Sequence, residues 1–200
     1  WVSVSGGSLY ITAIGDGISA ATDLTVSGGT LVITALDAGG KALTDTGNAG
    51  TGSVQGGSGG MGGMGGMGGF GGGRPGGMGG DGNSSKPSIS AKGLKAAGTV
   101  TLAGGKLTVT AADDGIHADD TVLLQDGEAY IRSGDDGMHA DRVLTLSGGS
   151  LEIAQSYEGL EAAQITVSGG RTRITASDDG INASSGGGGS MGGGRPGDMD

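Results

Sequence analysis

Residues 113–119 read DDGIHAD and residues 135–141 read DDGMHAD, the same phrase written twice, 22 positions apart. Working outward, the glycine of this acid-Gly turn recurs at Gly17, Gly39, Gly93, Gly115, Gly137, Gly159 and Gly180. The steps are 22, 54, 22, 22, 22 and 21, and the long one reads as one period plus a 32-residue insertion. A second glycine marker, at Gly7, Gly29, Gly105, Gly127, Gly149 and Gly170, keeps the same beat. Two independent markers with one period are the signature of a stacked repeat.

One period, residues 99–120, fixes the repeat's structure. TVTL alternates, AGG turns, KLTVTA alternates, ADDG turns and IHA forms a third short segment. Val100, Leu102, Leu107, Val109, Ala111, Ile116 and Ala118 fall on one face, with Thr101, Lys106, Thr108 and Thr110 mostly on the other. This is strand patterning, rich in β-branched residues and bounded by glycine turns. Gly density and β-branching both oppose a helix, and a propeller blade needs a period near 40 residues. The expectation is an all-β, right-handed parallel β-helix of about 22 residues per coil and seven coils. Residues 1–46 form coils one and two, and 86–183 form coils three to seven. Residues 47–85 are an inserted Gly/Met-rich loop, and 184–200 a Gly-rich loop or a link to a next unit. Both loops contain GGGRPG, at 71–76 and 192–197, and the first is expected to be an ordered loop.

In a solenoid, residues one period apart lie on top of each other at ~4.8 Å. Asp114, Asp136, Glu158 and Asp179 then form one acidic column, with Asp16 in the same place in the first coil. Asp113, Asp135 and Asp178 form the next, with Asp37 added from coil two. The glycine after them is expected at a left-handed corner. Two carboxylates at that spacing repel by ~3.5 kcal/mol at an effective dielectric of 20 and by under ~1 kcal/mol in bulk water. Solvated Asp-Gly turns tolerate that. Two acidic columns in a row are better explained by a bound hard cation, Ca²⁺, which takes carboxylate and carbonyl oxygens. His117 and His139 stack in a column with Lys95, Glu161 and Asn182. Two histidines are few for a metal site, so this column reads as an exposed polar ladder. Asp120 and Arg142, one period apart, read as a cross-coil ion pair.

The chain has 200 residues, a net charge of −10 and no cysteine. The acidity argues against nucleic acid as partner, and no apolar run is long enough to insert in a membrane. No disulfide holds the fold. Glycine contributes 51 residues and aromatics 2%, so the core must be stacked aliphatics.

The phrases AKGLKAAGTVTLAGGKLTVTAADDGIHAD, SYEGLEAAQITVSGG and ASDDGINA, with the GGMGGMGGMGG insertion, resemble a bacterial extracellular family of carbohydrate-binding right-handed parallel β-helices. That family is related in shape to polysaccharide lyases. The resemblance covers nearly the whole chain. It implies Ca²⁺ at the acidic corners, here Asp113, Asp114, Asp135, Asp136, Asp178 and Asp179. It also implies binding of plant-type or acidic polysaccharides without catalysis, outside the cell or at its surface.

The middle strands offer a flat outward face. One column runs Ser8, Thr30, Lys106, Glu128, Ser150, Arg171, and the next Tyr10, Val32, Thr108, Tyr130, Glu152, Arg173. Lys106–Glu128 and Glu152–Arg173 are favourable pairs, and Tyr10, Tyr130 and Arg173 are candidate sugar contacts. For a lyase, Lys92, Lys95, Arg132 and Arg142 are the imaginable bases, but no nucleophile–base constellation and no glycosidase carboxylate dyad stands out. Three functions therefore compete: a structural fibre or matrix module, a glycan-binding module and, least favoured, a lyase. Neither end reads as a cap: Trp1 leads straight into VSVSGGSLYITA, and the far end is Gly-rich. The expectation is a calcium-binding, head-to-tail stack of copies, with Trp1, Tyr10 and Arg173 at the junction. Seven coils give it an axial repeat of roughly 34 Å.

Overall fold

The computed structural model describes residues 1–43 and 89–184. All of its regular structure is β, in twelve strands. They are β1 (Val2–Ile14), β2 (Ile18–Ala20), β3 (Leu24–Leu36), β4 (Leu94–Ala96), β5 (Thr99–Ala111) and β6 (Ile116–Ala118), then β7 (Thr121–Ser133), β8 (Met138–Leu146), β9 (Ser150–Gln155), β10 (Leu160–Val167), β11 (Arg171–Ile174) and β12 (Ile181–Ala183). Every pairing is parallel, and partners lie about one period apart (Val100 on Val122, Leu107 on Ala129, Ile116 on Met138) except across the insertion, where Ile18 lies on Leu94 and Leu24 on Val100. The result is the expected parallel β-solenoid.

The core is a set of aliphatic ladders. One runs Ile33, Val109, Ile131, Ile153 and another Leu94, Ile116, Met138, Leu160, all fully buried. A third is alanine throughout, Ala20, Ala96, Ala118, Ala140 and Ala162, where the short strand closes against its neighbours. The seven residues assigned inward in residues 99–120 are all buried. Stacking aliphatic on aliphatic lets the core pack without aromatics, because each side chain meets another of similar volume one coil away.

The two glycine columns have different causes, and the expectation placed the left-handed corner on the wrong one. Gly7, Gly29, Gly105, Gly127, Gly149 and Gly170 take φ between 71° and 93°, a region comfortable only for glycine. They bend the long strands, which run through this corner with a register shift. The acid-Gly column has no positive φ. Its glycines are required by space: a Cβ at Gly17, Gly93, Gly115 or Gly137 would lie 2.5–2.7 Å from the carbonyl oxygen of the glycine one coil on.

The described residues make six coils rather than seven. β4 pairs directly with β2, so Gly93 follows Gly17 in the stack. Coil two runs along β3 and closes only at β4. From Ala35 to Leu94 there are 58 intervening residues, against four between the equivalent Ala111 and Ile116. The insertion is thus 54 residues long and sits at the acidic corner of coil two, before its short strand. Gly39 heads no coil: Asp37 Oδ1 accepts from Gly39 N (2.7 Å) and Lys41 N (2.9 Å), a local turn at the start of the insertion. The Gly/Met-rich segment 47–85 and the tail 185–200, with the order expected of the former, lie outside the described residues.

Candidate functional site

The acidic corner lies between the long strands and the short ones, and backbone bonds fix its columns. Gly17 N donates to Lys92 O, Gly93 N to Asp114 O, Gly115 N to Asp136 O, Gly137 N to Glu158 O and Gly159 N to Asp179 O. The first column is therefore Asp16, Lys92, Asp114, Asp136, Glu158, Asp179, with a lysine inside it. In the second, Asp113 N donates to Ala91 O, Tyr157 N to Asp135 O and Asp178 N to Tyr157 O. It reads Ala91, Asp113, Asp135, Tyr157, Asp178. Ala91, not Asp37, stacks on Asp113, and Tyr157 separates Asp135 from Asp178.

Beside these runs the short-strand ladder Ser19, Lys95, His117, His139, Glu161, Asn182, in the register the sequence implies. It is not the exposed ladder expected. The side chains of His117 and His139 are 15% and 23% accessible, and their rings stack with centroids 4.8 Å apart. Each histidine is held between two carboxylates of its own phrase. His117 Nδ1 faces Asp114 Oδ2 (2.9 Å) and Nε2 faces Asp119 Oδ1 (3.2 Å). His139 Nδ1 faces Asp136 Oδ2 (3.0 Å) and Nε2 faces Asp141 Oδ1 (3.2 Å). This answers what DDGIHAD encodes: the second acid, three residues before the histidine, and the last, two after it, clamp both ring nitrogens. The signal in the sequence was the repeated D-x-x-H-x-D spacing.

Electrostatics distinguish the two rungs. Lys92 Nζ pairs with Asp114 and, at 3.1 Å, with Asp113. Burial pulls the Lys92 ammonium's pKa down, but Asp114 and Asp113 raise it above the ordinary lysine value. Burial raises Asp114, yet the bonds from His117 and Lys92 win and hold it below the usual carboxylate range. The second rung has no such lysine. Glu161 Oε2 also lies 3.0 Å from His139 Nδ1. His139 is raised to about 9, first by its bond to Asp136, with burial opposing and Asp114 and Glu161 adding. Asp136 is raised to about 7, first by burial, with Glu161, Asp114 and Asp135 outweighing His139. An isolated ion pair would lower the acid as it raised the base. Here both rise, because three further carboxyls crowd the pair, and the rung retains protons. Asp135 is raised as well, by burial and then by Asp114 and Asp113.

The sequence-predicted metal residues divide accordingly. Asp113, Asp114 and Asp135 place carboxylate oxygens within 4.8 Å of one another, and Asp136 groups with His139 and Glu161. Asp16 is satisfied by Ser90 Oγ (2.7 Å), Lys92 N (3.0 Å) and Lys95 (3.7 Å). Both oxygens of Glu158 accept from Asn182 Nδ2. Asp178 and Asp179 are exposed in the last coil. Three carboxylates suit a hard cation that takes 6–8 oxygens, although an ion there would compete with Lys92 for Asp113 and Asp114.

A cleft of about 300 Å³ opens along this corner, lined by Lys92, His117, Asp135, His139, Tyr157 and Glu161 among others. Tyr157 stands at it 40% exposed; the sequence reading overlooked this residue because it is not on the middle-strand face. That face is as expected. Tyr10 stacks through Val32 and Thr108 to Tyr130, Glu152 and Arg173. Lys106–Glu128 (3.4 Å), Arg173–Glu152 (3.8 Å) and Arg142–Asp120 (3.0 Å) all form. The two tyrosines stand three coils apart, too far to share one ring.

A family model described as "Carbohydrate-binding domain-containing protein" matches residues 1–137. No curated protein matches the chain, and neither does any solved structure.

Proposed function

The chain belongs to this carbohydrate-binding domain family, and from that premise we propose that its acidic corner is a non-catalytic, calcium-assisted glycan-binding surface of an extracellular β-solenoid. The observation that carries the reading is Tyr157, exposed in the Asp113–Asp135 column at the cleft. Sugar recognition needs an apolar face for the ring and polar groups for the hydroxyls, and a tyrosine flanked by carboxylates, imidazoles and an ammonium supplies both. Ca²⁺ at Asp113, Asp114 and Asp135 would neutralise the corner and offer coordination positions to sugar oxygens. Without a cation, a protein of net charge −10 repels an acidic polysaccharide. Lys92 is a poor base for elimination, since its ion pairs hold it protonated at neutral pH, which supports binding over lyase chemistry. The test is retention on a panel of insoluble and acidic polysaccharides with Ca²⁺ or EDTA. Tyr157→Ala is expected to weaken retention at least tenfold, and Tyr10→Ala and Tyr130→Ala to leave it unchanged. Retention that follows Tyr10, Tyr130 and Arg173 instead would move the site to the flat face. No retention on any glycan would end the reading.

A second reading, end-to-end stacking of copies, is favoured by the faces of the outer coils. Leu9 and Ile181, whose counterparts in inner coils are buried, are 37% and 55% exposed. Such strand edges invite another coil. Tyr10 and Arg173 occupy opposite ends of one column, so a stacked copy would bring them together, with Trp1 (81% exposed) at the same junction.

A further inference from the structure

We propose that the second rung, Asp136, His139 and Glu161, is a binding site for a divalent transition-metal ion, distinct from the carboxylate site offered to Ca²⁺. The three side chains present one ligand atom each within 4.8 Å of one another. His139 Nδ1 stands 3.0 Å from Asp136 Oδ2 and 3.0 Å from Glu161 Oε2. At metal–ligand distances of about 2.1 Å, two ligands at right angles lie ~3.0 Å apart, so these two edges have the size of one face of a six-coordinate site. A histidine nitrogen with two carboxylate oxygens suits first-row transition metals, whereas Ca²⁺ takes oxygen alone.

The far side of the ring adds an orienting contact. His139 Nε2 bonds Asp141 Oδ1 at 3.2 Å. A carboxylate on the outer nitrogen orients the ring and, once the inner nitrogen has given up its proton, holds the tautomer in which histidine serves as a metal ligand. The inner nitrogen faces two carboxylate oxygens, and a divalent cation bound there takes the place of the proton that otherwise stands among them. In the first rung Lys92 supplies a positive charge to Asp114. Among the described residues no lysine or arginine pairs with Asp136 or Glu161. A second cleft, of about 160 Å³ and lined by His139, Asp141, Glu161 and Ser184, gives an ion access from solvent.

The chain has two histidines, so their ring protons can be followed individually by NMR. Protein stripped with EDTA and dialysed is titrated with Zn²⁺ alone, then with Co²⁺ alone, at pH 7.5. The expected result is a saturable one-site shift of the His139 ring protons, larger than that of His117, and paramagnetic broadening of His139 by Co²⁺. His139→Gln is expected to lower Zn²⁺ affinity at least a hundredfold in calorimetry. Asp141→Asn, which leaves all three ligands in place, is expected to lower it 10–100-fold. It serves as the deciding variant if His139→Gln fails to fold. Ca²⁺ binding at Asp113, Asp114 and Asp135 is expected to survive both substitutions, so its loss or absence bears on that site alone. Zn²⁺ binding of undiminished affinity in these variants, or no saturable Zn²⁺ or Co²⁺ binding in the parent, overturns the proposal.

Discussion

Gly137 and Gly180 occupy equivalent places in the acid-Gly column and differ only in what lies beyond them. A Cβ on Gly137 would stand 2.6 Å from Gly159 O and against Ile153, whereas one on Gly180 meets nothing within 4 Å. Gly137→Ala is therefore expected to cost about 2 kcal/mol or more, since a packed backbone cannot move aside, and Gly180→Ala to cost almost nothing. Paired urea melts check this, and equal losses would contradict the steric account. The glycine was visible in the sequence, but its cause was not: spacing shows that a side chain is forbidden, and only coordinates tell a backbone angle from a filled space. The histidine rung makes a second prediction at this scale. The folded values of both His139 and Asp136 are raised, so the native state holds more protons than the unfolded one. His139's contribution is complete below 6.5 and lost as pH rises through about 9. Asp136's is complete below 3.8 and lost through about 7. Metal-free stability should accordingly fall from pH 4 to 9, by up to ~1.4 kcal/mol per pH unit for each group. Asp136→Asn should flatten the lower half of that slope. A melting temperature that rises across this range in EDTA would be inconsistent with it. Saturating metal should reverse the slope, because it binds the deprotonated ligands.

At the scale of the element, the corner works as a stack of charges in which Lys92 is the only positive member of its column. Lys92→Met is expected to destabilise the metal-free protein by about 3 kcal/mol, because it leaves buried Asp114 facing Asp113 without its ammonium. Ca²⁺ should restore part of that loss, having one competitor fewer; stabilisation by a bound ion reaches about 2.7 kcal/mol at a hundredfold excess over Kd. Thermal melts of parent and variant with EDTA or Ca²⁺ measure both effects, and a variant indifferent to Ca²⁺ would remove the calcium site from consideration. The ladders themselves were legible, because period-2 alternation and a fixed repeat leave one register: Lys95, His117, His139, Glu161 and Asn182 stack as read. Their environment was less so. Counting along the chain places the histidines on an outward column, but it does not show that flanking acids three residues before and two after fold back over the ring. Tyr157 escaped for a similar reason, since the column it joins was read as purely acidic.

Over the whole molecule, the fold class followed from the repeat, and the number of coils did not. Gly39 fits the beat by sequence, yet the stack breaks off after Leu36 and resumes at Ala91 in the same coil, so a plausible period was counted where none is built. Six coils at ~4.8 Å give an axial length of roughly 29 Å, and end-to-end stacking would repeat at that distance rather than 34 Å. Gly180→Ala tests the stacking directly. A copy placed on the last coil would bring a carbonyl against Gly180, as Gly180 O stands against Gly159. The substitution should therefore abolish association in sedimentation velocity while leaving the melt unchanged. Only compact monomers at high concentration in the parent would dismiss the stack. The long detour inside coil two also bears on how the chain reaches its native state. Coils three to six close through segments of about 22 residues, whereas coil two must join ends separated by 58 residues where its neighbours span four, an added closure cost of ~2 kcal/mol. Contacts that span less chain form sooner. The later coils are thus expected to form first and residues 1–36 to add to their edge last, as the slowest phase of refolding followed by pulsed hydrogen exchange.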